Sequence, residues 1–441
     1  MSTGDGAMRR ENAVRGQAEA IQEALREVRA FDPHCHLRAA RPAADDLADI
    51  VLYHHVWIEL VSAGMDRFAA TRAGLPHELQ DPGMAPLERV RQCLPYLPRI
   101  RNTTVGLCLR WILQDLYGLE GDLNERNLEK AFRTVEGRAR AATWNEHLMR
   151  ERCGIEASIT VEPGPPGAER VHRAREWAPV NLVSGKASPR EVLESLEQEF
   201  GRPIRSAEDY CEHLASGARK LDAENLRFLG LWLLPWISPE RSRAEDVAPV
   251  LQKAAAGEPL SRAESGGFCY YGVCRLLEEL RRGPLRTVQV IVGAEVLPPH
   301  RSIPCWSGEF AGALARIAGQ FEDFHFNLSS ASDLYTQDLG ILAKHVPNIS
   351  VAGHWWHTLY PHYIRKAIET RIDMVPMNKI VAFFSDAYRS EWCYPKLKLV
   401  KTIWGEVLEE RVAKGWCEVD TAVDLVRAAF YENPARIYGG P

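Results

Sequence analysis

The sequence predicts an α/β protein, a (β/α)8 or TIM-like barrel that carries a helical insertion after its first strand. Three observations predict this fold class: eight short apolar segments, amphipathic helical stretches between most of them, and a long helical stretch after the first segment. Strands that alternate with helices form βαβ units and a parallel sheet. Eight such units are the number that closes a barrel of this type.

The eight strand candidates are near-continuous apolar runs, which is the pattern of a parallel sheet buried on both faces. They are VRAFDPH (28–34), IEASITV (155–161), PVNLVSG (179–185), LRFLGLWLLP (226–235), RTVQVIVG (286–293), DFHFNLS (323–329), NISVAG (348–353) and KIVAFFSD (379–386). In such a barrel the carboxyl ends of the strands converge on one pocket. Residues at these ends are therefore the first candidates for function.

The helical patterns divide the chain into three predicted parts. Residues 1–27 form an N-terminal helix, residues 37–154 form a helical insertion subdomain, and residues 28–36 with 155–441 form the barrel and its C-terminal helices. The insertion is too long for an ordinary loop between a strand and a helix. We therefore expect it to fold over the carboxyl ends of the strands.

Composition excludes several classes of partner. The chain of 441 residues is 46% apolar, and 54 basic against 59 acidic residues give a net charge of -5. This scattered charge does not predict binding to nucleic acid or to an anionic membrane. The N-terminus lacks the apolar core of a secretory signal, and no stretch reaches the roughly 18 apolar residues of a spanning helix. We expect a soluble, cytoplasmic protein with a small-molecule partner, and homo-oligomerisation stays open.

Two histidines end the first strand, in the run Asp32-Pro33-His34-Cys35-His36. Alternation along an extended chain turns His34 and His36 to the same side, where they could chelate one ion. Asp386 ends the eighth strand, which neighbours the first in a closed barrel. Two imidazoles and a carboxylate predict a catalytic site for one divalent ion, with zinc favoured over manganese and iron. The alternative is a pair of half-exposed histidines without a metal.

These residues resemble the uronate (glucuronate) isomerases, divergent members of the amidohydrolase superfamily with a barrel of the metal-dependent hydrolase type. The resemblance extends over the whole chain and is closest in a few motifs. They are the D-x-H-x-H-L run at 32–37, His54-His55 in LYHHVWIEL, Trp355-Trp356 in VAGHWWH, and Asp386 with the C-terminal stretch ending YENPARIYG. The tandem tryptophan discriminates best, because many amidohydrolases share H-x-H.

The resemblance implies a function in carbohydrate metabolism, the aldose-ketose isomerisation of a uronic acid such as glucuronate or galacturonate through an enediol. It implies one ion held by His34, His36 and Asp386, without a nucleotide cofactor. Asp386 would be ligand and base together. The comparison favours His55 as the acid-base group, with His54 as the alternative, because adjacent helical residues diverge by about 100° and only one should face the pocket. Either histidine could instead be structural.

The departures from the family concern the substrate. Tyr388 replaces a family arginine, with Arg389 one residue later, and Asn181 stands about where the third strand presents another arginine. The candidate substrate-binding residues are therefore Asn181, His354, Trp355, Trp356, His357, Tyr388 and Arg389, with Lys186 and Arg301 as further cations for an anionic substrate. Two other functions stay open: mononuclear metal-dependent hydrolysis or decarboxylation, and non-catalytic binding of a metal or sugar.

Overall fold

The computed structural model describes residues 16–38, 40–72, 74, 83–162, 171–177, 179–184, 187–297 and 301–439. The predicted N-terminal helix is seen over 16–27, and its residues 1–15 lie outside the described part of the chain. None of the described helices has the length and hydropathy that crossing a bilayer requires.

The described strands and helices alternate along most of the chain. The strands are β1 (Ala30–Cys35), β2 (Ile155–Thr160), β3 (Val171–Arg173), β4 (Arg175–Glu176), β5 (Leu229–Trp232), β6 (Thr287–Val292), β7 (Ala294–Leu297), β8 (Arg301–Pro304), β9 (His325–Ser330), β10 (Ile349–Ala352) and β11 (Ile380–Val381). The α-helices are 16–27, Leu47–Val51, His54–Ser62, Pro86–Cys93, Thr104–Trp111, Leu128–Ala139, Trp144–Glu146, Pro189–Phe200, Ala207–Ala223, Ala244–Ala256, Arg262–Leu280, Glu309–Gln320, Thr336–His345, Pro361–Met374, Ser390–Ala413, Val419–Arg427 and Asn433–Tyr438. Short π-helical turns cover Ile112–Leu116, His147–Cys153 and Ala428–Glu432, and 3-10 turns cover Leu97–Ile100, Asp333–Tyr335, Trp356–Thr358 and Met377–Lys379.

The chain forms two compact units, the first made of Met1–Val171 with Phe383–Val423. In this unit β1 pairs in parallel with β2, and all six residues of β1 are buried. The register shifts between Asp32 and Cys35, where Pro33 has no N–H to give to the ladder. The irregularity therefore falls beside His34, at the end of the strand that the metal prediction depends on.

The second unit is made of His172–Ala382 with Asp424–Pro441. Its parallel sheet has the order β11-β10-β9-β6-β5-β4, and β7 and β8 form a separate antiparallel pair. Val290 lies opposite Leu328, which lies opposite Val351, and all three are buried. Apolar residues on neighbouring parallel strands, covered by helices, explain why these runs fold as strands. The mixed α/β class with parallel sheets is confirmed, and the closed barrel remains a prediction.

The predicted third strand at 179–185 is wrong. Residues 179–183 are turns and coil, and Ser184 makes one isolated antiparallel bridge to Ala187. The place beside β5 is taken by β4, whose Arg175 and Glu176 pair with Leu229 and Gly230. A search for apolar runs does not detect a strand made of two charged residues.

The predicted eighth strand is much shorter than expected. Only Ile380–Val381 has strand pairing, although 379–386 reads as one apolar run. In the first unit, the chain at 385–387 follows the end of β1 through two main-chain hydrogen bonds. Asp386 donates to the His34 carbonyl at 3.0 Å, and His36 donates to the Ala387 carbonyl at 2.9 Å. Asp386 is therefore placed by its neighbour β1 instead of by a regular strand of its own.

Candidate metal centre

Three predicted ligands meet at the end of β1 in the first unit. One carboxylate oxygen of Asp386 lies 3.5 Å from Nε2 of His34 and 3.4 Å from Nε2 of His36. The ligand atoms that the three side chains offer all lie within 4.8 Å of one another. Tetrahedral zinc with bonds of about 2.0–2.2 Å separates its ligands by about 3.4 Å. The spacing and the donor types therefore fit a divalent ion.

Glu162 orients one of these imidazoles. Its carboxylate lies 2.9 Å from Nδ1 of His36, just beyond the end of β2. A carboxylate only accepts, so Nδ1 carries a proton toward Glu162, and Nε2 is the nitrogen that faces Asp386. Carboxylates that hold a ligating histidine in this way raise its basicity as a ligand. Glu162 is not among the predicted site residues, although it directly follows the predicted strand at 155–161.

The backbone at Asp386 is in an uncommon conformation. Its φ is +49°, in the left-handed region that non-glycine residues seldom adopt. Two side chains hold the carbonyl group there: Tyr53 donates to the Asp386 oxygen at 3.1 Å, and Lys396 donates to it at 3.2 Å. Lys396 also donates to the Ser385 carbonyl at 2.7 Å and to the Tyr53 hydroxyl at 3.0 Å. These contacts fix the direction of the ligand's side chain.

Asp32 fixes the residue on the other side of this ligand. Its carboxylate accepts from the Ser385 backbone N–H at 2.8 Å and from the Ser385 hydroxyl at 2.6 Å. Burial raises the pKa of Asp32 to about 6, while the two hydrogen bonds from Ser385 act in the opposite direction. The first residue of the D-x-H-x-H run thus supports the site without being a ligand in it.

Asp386 is ionised in this environment. Burial on its own would raise its pKa, but hydrogen bonds from His34 and His36 and the nearby Lys396 charge hold the pKa well below its ordinary value. A carboxylate that is ionised near neutral pH can bind a cation or accept a proton.

The two candidate acid-base histidines begin the helix His54–Ser62. The Tyr388 ring stacks on His36, with centroids 4.3 Å apart and planes 4° apart. The His54 ring then meets Tyr388 edge-on at 5.3 Å, whereas His55 packs against His54 at 4.0 Å and Tyr53 at 5.6 Å. A chain of ring contacts therefore leads from the candidate metal ligand His36 through Tyr388 to His54.

Arg389 has a different partner from the one predicted. Its guanidinium forms a two-pronged ion pair with Asp49 at 3.0 and 3.2 Å, and both side chains are buried. The prediction was a contact with an anionic substrate, or else a solvated surface charge. The pair joins the helix Leu47–Val51 to the residue that precedes the helix Ser390–Ala413.

The remaining candidates lie in the second unit, after β10 and beside β5. His354 is buried with neither ring nitrogen hydrogen-bonded among the described residues, and burial with the charge of Arg371 holds its pKa well below the ordinary value. Asn181 is in coil and donates to the Trp232 carbonyl at 2.5 Å.

The tandem tryptophan bends sharply after β10. Trp355 is buried and meets Trp232 edge-on at 5.1 Å, while Trp356 has a φ of +48° and stacks on His357 at 5.2 Å. His357 shares a hydrogen bond of 2.9 Å with Ser302. Trp355 thus belongs to the packed interior of this unit. Lys186 lies outside the described residues, as does the side chain of Arg301.

Sequence comparisons give no match: no family model and no curated protein resembles the chain significantly. The solved structures that share its fold include three uronate isomerases. Glucuronate isomerase from Caulobacter crescentus has a TM-score of 0.79 and 16% identity, over 97% of this chain and 94% of that one. Uronate isomerase from Thermotoga maritima gives 0.77 and 16%, over 95% and 97%. Uronate isomerase from Bacillus halodurans gives 0.74 and 16%, over 97% of each chain. The predicted resemblance to this group is confirmed at the level of the fold.

Proposed function

We propose that the protein is a metal-dependent isomerase that interconverts the aldose and ketose forms of a uronic acid, such as glucuronate or galacturonate, or of a related sugar acid. The observation that carries the proposal is the convergence of His34, His36 and Asp386, in a chain with the fold of uronate isomerases over nearly its whole length. The reaction needs no nucleotide, and the enzyme would act in the cytoplasm.

His34, His36 and Asp386 would hold one divalent ion, and the orientation of His36 by Glu162 supports that role. Nitrogen and carboxylate donors favour zinc, with manganese and iron as the other fitting ions. When bound, the ion would act as a Lewis acid on the carbonyl and hydroxyl oxygens of the sugar.

The chain's own residues would move the proton. A base removes the proton from the carbon next to the carbonyl, an enediol forms, and the proton returns to the neighbouring carbon while the hydroxyl proton passes between the two oxygens. Asp386 is the candidate base because its carboxylate lies at the proposed ion site, 3.5 Å from Nε2 of His34 and 3.4 Å from Nε2 of His36. His54 or His55 would carry the hydroxyl proton, and the contact of His54 with Tyr388 favours His54 over the family-based choice.

Tyr388 is the substrate-contacting candidate that the geometry supports best, since its ring lies against a metal ligand. His354, Trp356 and His357 remain candidates in the second unit. The amide nitrogen of Asn181 and the ring of Trp355 already have protein partners, and Arg389 is taken by Asp49.

The ion pair between Arg389 and Asp49 favours a second function. A uronate isomerase needs a cation for the sugar carboxylate, whereas the guanidinium of Arg389 is bound to Asp49. A mononuclear hydrolase or decarboxylase of the same superfamily would use the same ligand set to generate hydroxide from water or to polarise a carboxylate.

The deciding experiment incubates the zinc- and manganese-loaded protein with glucuronate and galacturonate and follows the ketose by NMR. The isomerase proposal predicts ketose from at least one acid, with uptake of solvent deuterium at the carbon that is reprotonated. The Asp386→Asn variant should form none. Absence of ketose from both acids would overturn the uronate proposal, and release of carbon dioxide would favour the second function.

A further inference from the structure

The second unit contains a cavity of about 520 Å³ that the metal chemistry does not use. We call it the tryptophan cavity, because three tryptophans contribute to its wall. Its described lining also includes residues that follow β5 and β6 and one face of the helix Pro189–Phe200. Its aromatic, amide and acidic lining residues include Trp177, Asn181, Glu191, Glu199, Trp232, Trp236 and Glu295. This volume is of the size that holds a small organic ligand.

Asn181 lies at the wall of the cavity and carries a buried, unsatisfied acceptor. Its side chain is only 9% exposed, and its Oδ1 has no hydrogen-bond partner among the described residues. The amide nitrogen donates to the Trp232 carbonyl, and since a carbonyl can only accept, this contact fixes which end of the amide is which. A buried acceptor without a partner costs about 1–3 kcal/mol. A ligand in the cavity would therefore offer Asn181 an N–H or O–H.

The indole rings are held in place by contacts of their own. Trp177 donates its ring N–H to Glu199 at 3.1 Å, Trp236 donates to Ser265 at 2.9 Å, and Trp232 packs edge-on against Trp355. Fixed aromatic faces attract cations as well as apolar groups. Arg262 already lies 5.0 Å from the Trp236 ring centre, which leaves Trp177 and Trp232 as the faces for a ligand.

The charged residues in the described lining are acidic, and the cation Arg262 lies against Trp236 at its edge. Glu191, Glu199 and Glu295 line it, and none of its described lining residues is lysine or arginine. Glu191 and Glu199 are exposed and Glu295 is half-buried, so their carboxylates favour a cation over an anion through an attraction that salt partly screens.

We infer that the tryptophan cavity binds an organic ammonium compound with an apolar or aromatic body. The ammonium N–H groups donate to Oδ1 of Asn181 and face the carboxylates, while the body lies against Trp177 and Trp232. The inference uses residues of the second unit alone, so it stands or falls independently of the metal centre.

Three probes of similar size and different charge test this inference by isothermal titration calorimetry on the whole protein: phenethylamine, 2-phenylethanol and 3-phenylpropionate. We expect phenethylamine to bind at least tenfold more tightly than the alcohol, and the carboxylate to bind most weakly. Because exposed charges contribute to the attraction, raising the salt concentration should weaken the binding of the amine.

Substitutions of lining residues test whether the probe binds in the tryptophan cavity. Trp232→Leu and Asn181→Leu should weaken phenethylamine tenfold or more, and Glu295→Gln, which keeps the shape, should weaken it several-fold. Trp306→Leu is the matched control, since Trp306 is 48% exposed and outside the lining, and it should leave binding unchanged. The inference would be overturned if the three probes bound equally or if the anion bound most tightly. It would also be overturned if the amine did not bind at 10 mM, which is on the order of the weakest affinity worth detecting.

Discussion

The ammonium group of Lys396 lies 3.2 Å from the carbonyl oxygen of Asp386. A lysine that is 2% exposed is thereby joined to the backbone of a residue with a φ of +49°. Buried cations are costly unless they are well hydrogen-bonded, and here three oxygens accept from the same nitrogen. The contact explains how Asp386 keeps a conformation that its own backbone disfavours.

Replacing Lys396 by methionine should loosen this ligand. The methionine keeps the apolar stem but removes three hydrogen bonds, so we expect the affinity for zinc to fall about 10- to 100-fold, the range for lost supporting contacts. Competition with a chromophoric chelator measures it. Lys398→Met is the control, because Lys398 pairs with Asp115 at the surface of the same helix. A folded Lys396→Met protein with unchanged zinc affinity would contradict the positioning role.

Glu162→Gln tests the orientation of His36. Glutamine can still accept from Nδ1 but without charge, so zinc affinity should fall by about tenfold while the fold is unaffected. Glu156→Gln is the matched control, since Glu156 lies on β2 and its carboxylate contacts Arg150 instead. Equal losses in the two variants would show that the effect is not specific to His36.

Arg389→Met separates a structural role from substrate binding. Removing one partner of a buried ion pair leaves Asp49 uncompensated, so the free energy of unfolding in urea should fall by about 3–5 kcal/mol. Arg41→Met, at an exposed pair with Asp45, should cost less than about 1 kcal/mol. Unchanged stability together with a raised KM for the sugar acid would restore Arg389 as a substrate ligand.

The buried His325 should make the free energy of unfolding of the second unit depend on pH. Burial, with the nearby charges of Arg436 and Lys379, lowers its pKa to about 4. The unfolded chain then binds the proton more readily, so this contribution to stability is complete above pH 6.5 and is lost as the pH falls toward 4. The loss should be about 2–3 kcal/mol. Urea titrations from pH 7 to 4 should show a shallower decline for His325→Gln; parallel curves would contradict the assignment.

The three candidate metal ligands could be picked out together because they stand at the ends of predicted strands. Alternation along β1 places His34 and His36 on one side, and Asp386 ends the last apolar run of the sheet. The supporting residues depend on tertiary contacts that no local pattern contains. In the sequence PKLKLVK, Lys396 has the pattern of an ordinary helical lysine. Nothing in the sequence around Arg389 predicts that it pairs with Asp49.

For the fold as well, local patterns could be predicted and tertiary contacts could not. Long β-branched runs such as TVQVIV became strands near the predicted positions, while PVNLVSG did not. The side chain of Asn181 takes the Trp232 carbonyl, and two charged residues of β4 occupy the sheet position instead. Apolar content alone cannot distinguish a strand from a loop that packs through its side chains.

The metal content of purified protein tests the central claim most directly. We expect about one divalent ion per chain by elemental analysis, and less than about a tenth of that in His34→Ala, His36→Ala and Asp386→Ala, because two donors are too few for a tight site. His345→Ala, at an exposed helix end, should keep the full amount. Unchanged metal content in the three ligand variants would contradict the account.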